Sequence, residues 1–266
     1  MREDIHVHSM YSTDSRAPME DVVRKAVEKE IDVLCFTDHI DWDYPVPDLT
    51  FDFDVSSYIK EITSLQEKYG DRIRILKGVE LGLQPHLGSR YAKLLRDYSF
   101  DFAIGSQHLV GKYDPYYPEA FEGRSDMEVY REYFEDALEN VRAFHGFDSF
   151  GHLDYVIRYG REKPTRYTYR AFSDVIDEIL KELVKSNIAL EVNTCGFRKG
   201  LGAPNPSPDI IRRYRQLGGT LVTIGSDAHK PSYLGYDFDI ACDILKNCGF
   251  THFCWFEKHI PHFEKL

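Results

Sequence analysis

A parallel α/β fold is what this sequence predicts, and three observations predict it. Short β-rich runs alternate with longer amphipathic stretches along the chain, the runs are mostly continuous apolar segments, and each ends in polar residues. Continuous apolar strands are expected where helices cover a sheet's outer face and side chains pack its inner one. At 266 residues the chain has the length of a single α/β barrel, although length alone also admits two domains. No Ser/Pro/Gly linker, low-complexity tract or compositional break divides it, so residues 1–266 read as one domain. The pattern by itself fits a closed barrel or an open sheet.

Seven runs are predicted strands: DIHVHS (4–9), DVLCFTDH (32–39), IRILKGVELG (73–82), FDFAIGSQHL (100–109), SFGHLDY (149–155), IALEVNTCG (188–196) and TLVTIGSDAH (220–229). Helices are predicted over 18–30, 56–70, 127–146, 169–187 and 207–219. In SDVIDEILKELVKS the apolar residues at 175, 176, 179, 180, 183 and 184 have helical spacing, with Ser173 as N-cap. The tail HFCWFEKHIPHFEKL (252–266) is expected to supply a last edge or closing strand.

Composition narrows the function. Apolar content of 42% and aromatic content of 14% fill a large core, and 29% charged residues solvate the surface. The apolar runs are of strand length, and the opening segment lacks the basic and apolar regions of a signal peptide, so a cytoplasmic protein with no membrane partner is expected. The five cysteines form no CxxC pair and leave one over, which argues against a disulfide framework. A formal charge of −11 argues against nucleic acid as partner.

The chemistry-bearing residues sit where the runs end. His6 and His8 are one residue apart, and in an extended strand i and i+2 project to the same face, so both imidazoles enter one space with Val7 opposite. Asp14 follows this run; His39 ends the second, Glu80 the third, His108 the fourth, His152 the fifth, and Asp227 with His229 the seventh. Parallel α/β folds gather the C-terminal ends of their strands at one face, so these residues converge. Six histidines and three carboxylates exceed the three or four ligands of one zinc ion and point to two or three clustered divalent ions. With no cysteine among them, zinc, iron or manganese is favoured over a thiolate-held structural site.

The series HVHSMYSTD, FTDH, GVE, SQH, GHLDYVIRY and IGSDAH resembles the PHP family of polymerase and histidinol-phosphatase metallohydrolases, in order and spacing over nearly the whole chain. More narrowly, GHLDYVIRY and LEVNTCGFRKG are similar to the monofunctional histidinol-phosphate phosphatases of that family. The resemblance implies a distorted, TIM-like (β/α)7 barrel with a trinuclear metal centre at its C-terminal mouth. It assigns His6, His8, Glu80 and Asp227 to one ion, Asp14, His39 and His229 to a second, and Glu80, His108 and His152 to the third, with Glu80 bridging. Asp14 fills a slot that some relatives fill with histidine, which bears on the metal preferred there.

The implied activity is hydrolysis of a small phosphate monoester, L-histidinol phosphate, in histidine biosynthesis. Alternatives are a PHP phosphoesterase for phosphotyrosyl protein or nucleotide, discouraged by the acidic charge and the missing accessory domain, and a non-enzymatic metal-holding regulatory domain, which has no use for an open polynuclear centre. Arg158 and Arg198 stand just beyond strand ends; a planar guanidinium matches phosphoryl oxygens, and the resemblance points to the same two positions for phosphate capture. Asp227 or His229 is the candidate proton relay. Tyr113, Tyr116 and Tyr117, in the long loop GKYDPYYPEAFEGRSD, are candidates for reading the rest of the substrate, Tyr117 foremost. Asp38 is a candidate acceptor for orienting an imidazole. Cys195 is read as packing, and the histidines at 86, 145, 252, 259 and 262 as surface or packing residues.

Overall fold

The computed structural model describes residues 2–161 and 167–266. In chain order the elements are β1 (Glu3–Val7), α1 (Met19–Glu28), β2 (Val33–Phe36), β3 (His39–Ile40), α2 (Val55–Tyr69), β4 (Arg74–Gly82), α3 (Gly88–Asp97), β5 (Phe102–Ser106) and α4 (Asp126–Ala143), followed by β6 (Ser149–Phe150), α5 (Ser173–Lys185), β7 (Ala189–Asn193), α6 (Cys195–Arg198), α7 (Pro208–Gln216), β8 (Val222–Gly225), α8 (Phe238–Asn247), β9 (His252–Glu257) and β10 (Ile260–Lys265). The sheet order is β1-β2-β4-β5-β6-β7-β8, all pairs parallel, with β3 continuing the second strand position alongside β4. β8 returns to β1 at the mouth through the bridge between Val7 and Ala228 and the hydrogen bond from the Asp227 N–H to the His6 carbonyl, so the sheet is a nearly closed barrel of seven positions. No described helix is long and apolar enough to cross a membrane.

Alternation along the strands sorts the two faces. Leu34, Phe36, Leu81, Leu190, Val192, Val222 and Ile224 point outward into the large core beneath the helices. Val33, Cys35, Leu76, Phe102, Ile104 and Ala189 point inward and form an apolar lower layer. Two to four residues further up the same strands, the inward positions become Glu80, Ser106, Glu191 and Asn193, all buried. β1 obeys this layering only because its register with β2 slips between Asp4 and Val7, a bulge that lets Ile5 join the lower layer while His6 and His8 still face the mouth.

The tail corrects one expectation. β9 and β10 form a separate antiparallel hairpin rather than an edge or closing strand of the barrel, and Cys254, Trp255 and Phe256 plug the barrel floor against the lower apolar layer. The predicted fifth strand is cut to Ser149–Phe150, because the chain turns at His152 (φ 20°) and enters a 3₁₀ turn over Tyr155–Arg158. Ser173 is not an N-cap: a 3₁₀ turn over Tyr169–Phe172 runs straight into α5, Ser173 is already helical, and its hydroxyl donates to the Arg170 carbonyl. Helices α3 and α8 were not predicted.

Candidate metal centre

All nine strand-end residues converge at the C-terminal mouth. Glu80 is fully buried at the centre: its Oε1 lies 3.0 Å from His152 Nε2 and 3.3 Å from His108 Nε2, and its Oε2 lies 3.1 Å from His39 Nδ1, 3.2 Å from His6 Nε2 and 3.5 Å from His8 Nε2. Asp227 Oδ1 stands 3.5 Å from His8 Nε2 and 3.4 Å from His229 Nδ1. Asp14 Oδ2 is 2.9 Å from His229 Nε2 and 3.8 Å from His39 Nε2. Ligand atoms within 4.8 Å of one another define several overlapping groups, among them His6 with His8 and Glu80, His8 with His39 and His229, and Glu80 with His108 and His152.

The protonation chemistry suits cations. His6 Nδ1 donates to Glu191 Oε1 at 2.5 Å, His108 Nδ1 to Asp41 Oδ2 at 2.6 Å, His8 Nδ1 to Ser12 Oγ at 3.0 Å and His229 Nδ1 to the Asp227 carbonyl at 3.1 Å. A neutral imidazole with Nδ1 so engaged presents the Nε2 lone pair inward. His6 Nε2 and His8 Nε2 therefore face each other at 3.1 Å. His39 Nδ1 and His108 Nε2 are buried beside Glu80 without hydrogen-bond geometry. Lone pairs converging on one another and on carboxylates are what shared divalent ions satisfy, so the donor set fits the metals expected.

Charge follows from the same contacts. Burial opposes ionisation of Glu80, but His6, His39 and His108 hold it well below the usual carboxylate range; Asp227 is held down likewise by His8, His6 and Arg158. Burial together with His229 and His39 pushes His8 down to about 3, so it stays neutral. Burial disfavours the cationic form of His6, yet Glu191 and Glu80 raise its pKa well above normal, so without a cation His6 holds a second proton, which a bound metal would displace from Nε2.

Backbone details aim these groups. Asp227 takes a left-handed conformation (φ 53°), which turns its carboxylate inward at the end of β8. At Gly225 a Cβ would lie 2.4 Å from His6 Cβ and 2.6 Å from Glu191 Oε1, so only glycine leaves room for that pair. Asp38 does not orient His39; it accepts from Ser9 and from Ser12 Oγ at 2.7 Å, and Ser12 in turn receives His8.

Above the cluster opens a cavity of about 450 Å³ whose lining includes Tyr44, Asp114, Tyr116, Tyr117, Arg158 and Arg198. Arg158 donates from Nε to Asn205 Oδ1 (2.8 Å), from Nη1 to Asp227 Oδ2 (3.1 Å) and from Nη2 to Asn193 Oδ1 (3.1 Å). Arg198 stacks on Tyr233 at 4.3 Å and donates from Nη2 to the carbonyls of Ser226 and Asp227, its Nε buried without a partner among the described residues. Of the three loop tyrosines, Tyr116 and Tyr117 line this cavity and Tyr113 does not. His86 pairs with Asp43 at the surface, His259 with Asp148 at the barrel floor, and His262 stacks on Trp255. Cys195 lines the cavity, but it is 3% exposed and burial raises its thiol pKa, in keeping with packing.

Sequence reasoning missed Glu191, Asp41, Asn193 and Asn205. For the first three a signal existed: each lies two residues from another inward-facing polar residue, as Asp41 does from His39 and Glu191 from Asn193.

A family model for the PHP domain matches residues 4–195. The chain is 34% identical over 257 residues to a probable histidinol-phosphatase of Clostridium acetobutylicum, covering 97% of each protein. It is 32% identical over 254 residues to a histidinol-phosphatase of Lactococcus lactis, covering 95% of this chain and 93% of the relative. Its backbone matches a crystal structure of histidinol phosphate phosphatase from Lactococcus lactis, complexed with zinc, L-histidinol and phosphate, with a TM-score of 0.90 and 29% identity over 98% of both chains.

Proposed function

The chain belongs to the PHP domain family, and from that premise we propose that it is a metal-dependent phosphomonoesterase that hydrolyses L-histidinol phosphate to L-histidinol and inorganic phosphate. One observation carries the reading: a buried cluster of metal-ligand side chains floors a cavity that two guanidinium groups also reach, in a chain that matches a zinc-, histidinol- and phosphate-bound relative end to end. We take residues 1–266 as one catalytic unit, since β8 completes the barrel that residues 4–195 begin and the tail hairpin plugs its floor. The free thiols of its five cysteines suit the reducing cytoplasm, where we place the reaction.

We assign His6, His8, Glu80 and Asp227 to one ion, Asp14, His39 and His229 to a second, and Glu80, His108 and His152 to a third, the ions being two or three of zinc, iron or manganese. Bound divalent ions supply Lewis acidity, which makes hydroxide available near neutral pH and offsets charge on phosphoryl oxygens. Glu80 sits between two groups of imidazoles, the position of a bridging carboxylate. Arg158 and Arg198, which both donate to Asp227 at the cluster's edge, orient the phosphoryl group from beside the cluster. Three of Arg158's five N–H groups are anchored, which leaves two for phosphoryl oxygens while the anchors hold the plane of the fork. We assign the proton relay toward the leaving alkoxide to the Asp227–His229 pair, whose Oδ1 and Nδ1 lie 3.4 Å apart at the cluster's edge. Tyr117 contacts the organic part of the substrate from the cavity wall.

The test is phosphate release by metal-reconstituted protein from L-histidinol phosphate, phosphotyrosine and nucleoside monophosphates. Histidinol phosphate is expected to have the highest kcat/KM; a preference for either of the others refutes the assignment.

A further inference from the structure

Arg158 is 4% exposed, and the orientation of its guanidinium depends on what holds each corner. Two anchors, Asp227 and Asn193, belong to the site's inner wall. The third, Asn205, accepts from Arg158 Nε through its Oδ1, and a primary amide can present either an acceptor or a donor there. Asp154 decides which. This fully buried carboxylate, on the turn after β6, accepts Asn205 Nδ2 on its Oδ1 at 2.5 Å, with the Asp154 backbone carbonyl a long second acceptor at 3.4 Å, and so turns the amide oxygen toward Arg158. Its Oδ2 accepts the Ser207 backbone N–H at 2.9 Å and the Tyr167 hydroxyl at 3.0 Å. The Asn205 main chain is fixed too, by paired backbone hydrogen bonds with Asn193 at 2.7 and 2.9 Å. Asp154 itself does not line the cavity.

We propose that Asp154 is a positioning residue for phosphate capture: by orienting the Asn205 amide it holds Arg158 at the angle from which the guanidinium faces the phosphoryl group. The inference rests on the assignment of Arg158 to phosphate capture. Asp154→Asn keeps the shape but leaves one acceptor where two are needed. The Ser207 backbone N–H cannot reverse, whereas the Asn205 amide can. The remaining oxygen therefore stays on Ser207, the new NH₂ faces Asn205, and Asn205 turns its own NH₂ toward Arg158 Nε, donor against donor.

The experiment is a double-mutant cycle on metal-loaded enzyme, reading kcat/KM, competitive inhibition by inorganic phosphate, metal content and thermal unfolding. Asp154→Asn should lower kcat/KM and weaken phosphate inhibition by about tenfold each with metal content unchanged, and in an Arg158→Ala background the same substitution should change either by less than about twofold. Asn205→Ala removes the middle link and should behave alike, deciding the matter if Asp154→Asn does not fold. Parental kinetics in the folded variants, or a tenfold loss that persists without Arg158, overturns the proposal. If Arg158→Ala alone has parental kinetics, phosphate capture by Arg158 is wrong and the inference falls with it; if only the Asp154 and Asn205 variants are silent, the capture reading stands and the inference alone fails.

Discussion

Replacing Glu191 with glutamine tests whether a carboxylate behind the cluster prepares His6 as a ligand. Glu191 is 1% exposed, and its two oxygens take three donors: His6 Nδ1 at 2.5 Å, the His152 backbone N–H at 2.8 Å and Asn193 Nδ2 at 3.0 Å. A glutamine of the same shape has one acceptor oxygen. The His152 backbone N–H cannot turn away, so the amide oxygen serves it and the NH₂ meets His6 Nδ1. His6 must then accept at Nδ1 and carry its proton on Nε2, where His8 Nε2 stands 3.1 Å away and Glu80 Oε2 3.2 Å away. That removes an inward lone pair from the cluster. Losing a carboxylate that supports a ligating imidazole costs about 10–100-fold in metal affinity, or roughly 1.4–2.7 kcal/mol. Equilibrium dialysis against buffered zinc, read by elemental analysis, gives the number directly, while circular dichroism of the metal-free variant shows whether the barrel is intact. A folded Glu191→Gln protein that binds zinc with parental affinity refutes the tautomer argument.

Glu80→Gln, at the centre of the cluster, is expected to lose metal and turnover together while keeping its fold, because the apolar core is untouched; a full metal complement with near-parental rate would remove the bridging role. Arg158→Ala and Arg198→Ala should retain metal yet lower kcat/KM by about 10²-fold, roughly 2.7 kcal/mol, and weaken inhibition by phosphate, with lysine rescuing only in part; parental kinetics in both would leave phosphate capture to the metals. At the barrel floor both carboxylate oxygens of Glu3 are buried without a hydrogen-bond partner among the described residues, and burial, aided by Glu264, raises its pKa from 4.5 to about 7. A carboxylate with a raised folded pKa costs nothing below the unfolded value and most above the folded one. Glu3→Gln should therefore match the parent in stability below pH 4.5, gain on it as the pH rises toward 7, and plateau above that at up to about 3 kcal/mol, as chemical denaturation across pH would show; a gain independent of pH would contradict this.

What was legible in the sequence is what local periodicity controls. The i, i+2 spacing of His6 and His8, and the polar residues closing each apolar run, place nine side chains at one mouth because parallel strands all end there. What was not legible depends on distant parts of the chain. Barrel closure rests on Val7 meeting Ala228, and the role of the tail rests on Trp255 and Phe256 finding an apolar floor made by several strands. The bulge in β1 is invisible locally, since Ile5 and His6 both facing inward breaks the alternation a reader would assume. α3 buries only Tyr91 and Leu94 and α8 only Ala241 and Leu245; both are amphipathic, and the sequence reading passed them over. Glu191 and Asp41 went unremarked, although each lies two residues from another inward-facing polar residue, because the imidazole each supports comes from across the barrel.

The most direct test of metal-dependent histidinol-phosphate hydrolysis is to strip the protein of metal, titrate zinc or manganese back, and follow bound metal and phosphate released from L-histidinol phosphate in the same samples. The stripped protein is expected to show no turnover, and activity is expected to rise with occupancy until two or three ions are bound per chain. Turnover that survives stringent metal removal, or a fully loaded protein that leaves L-histidinol phosphate intact, would contradict it.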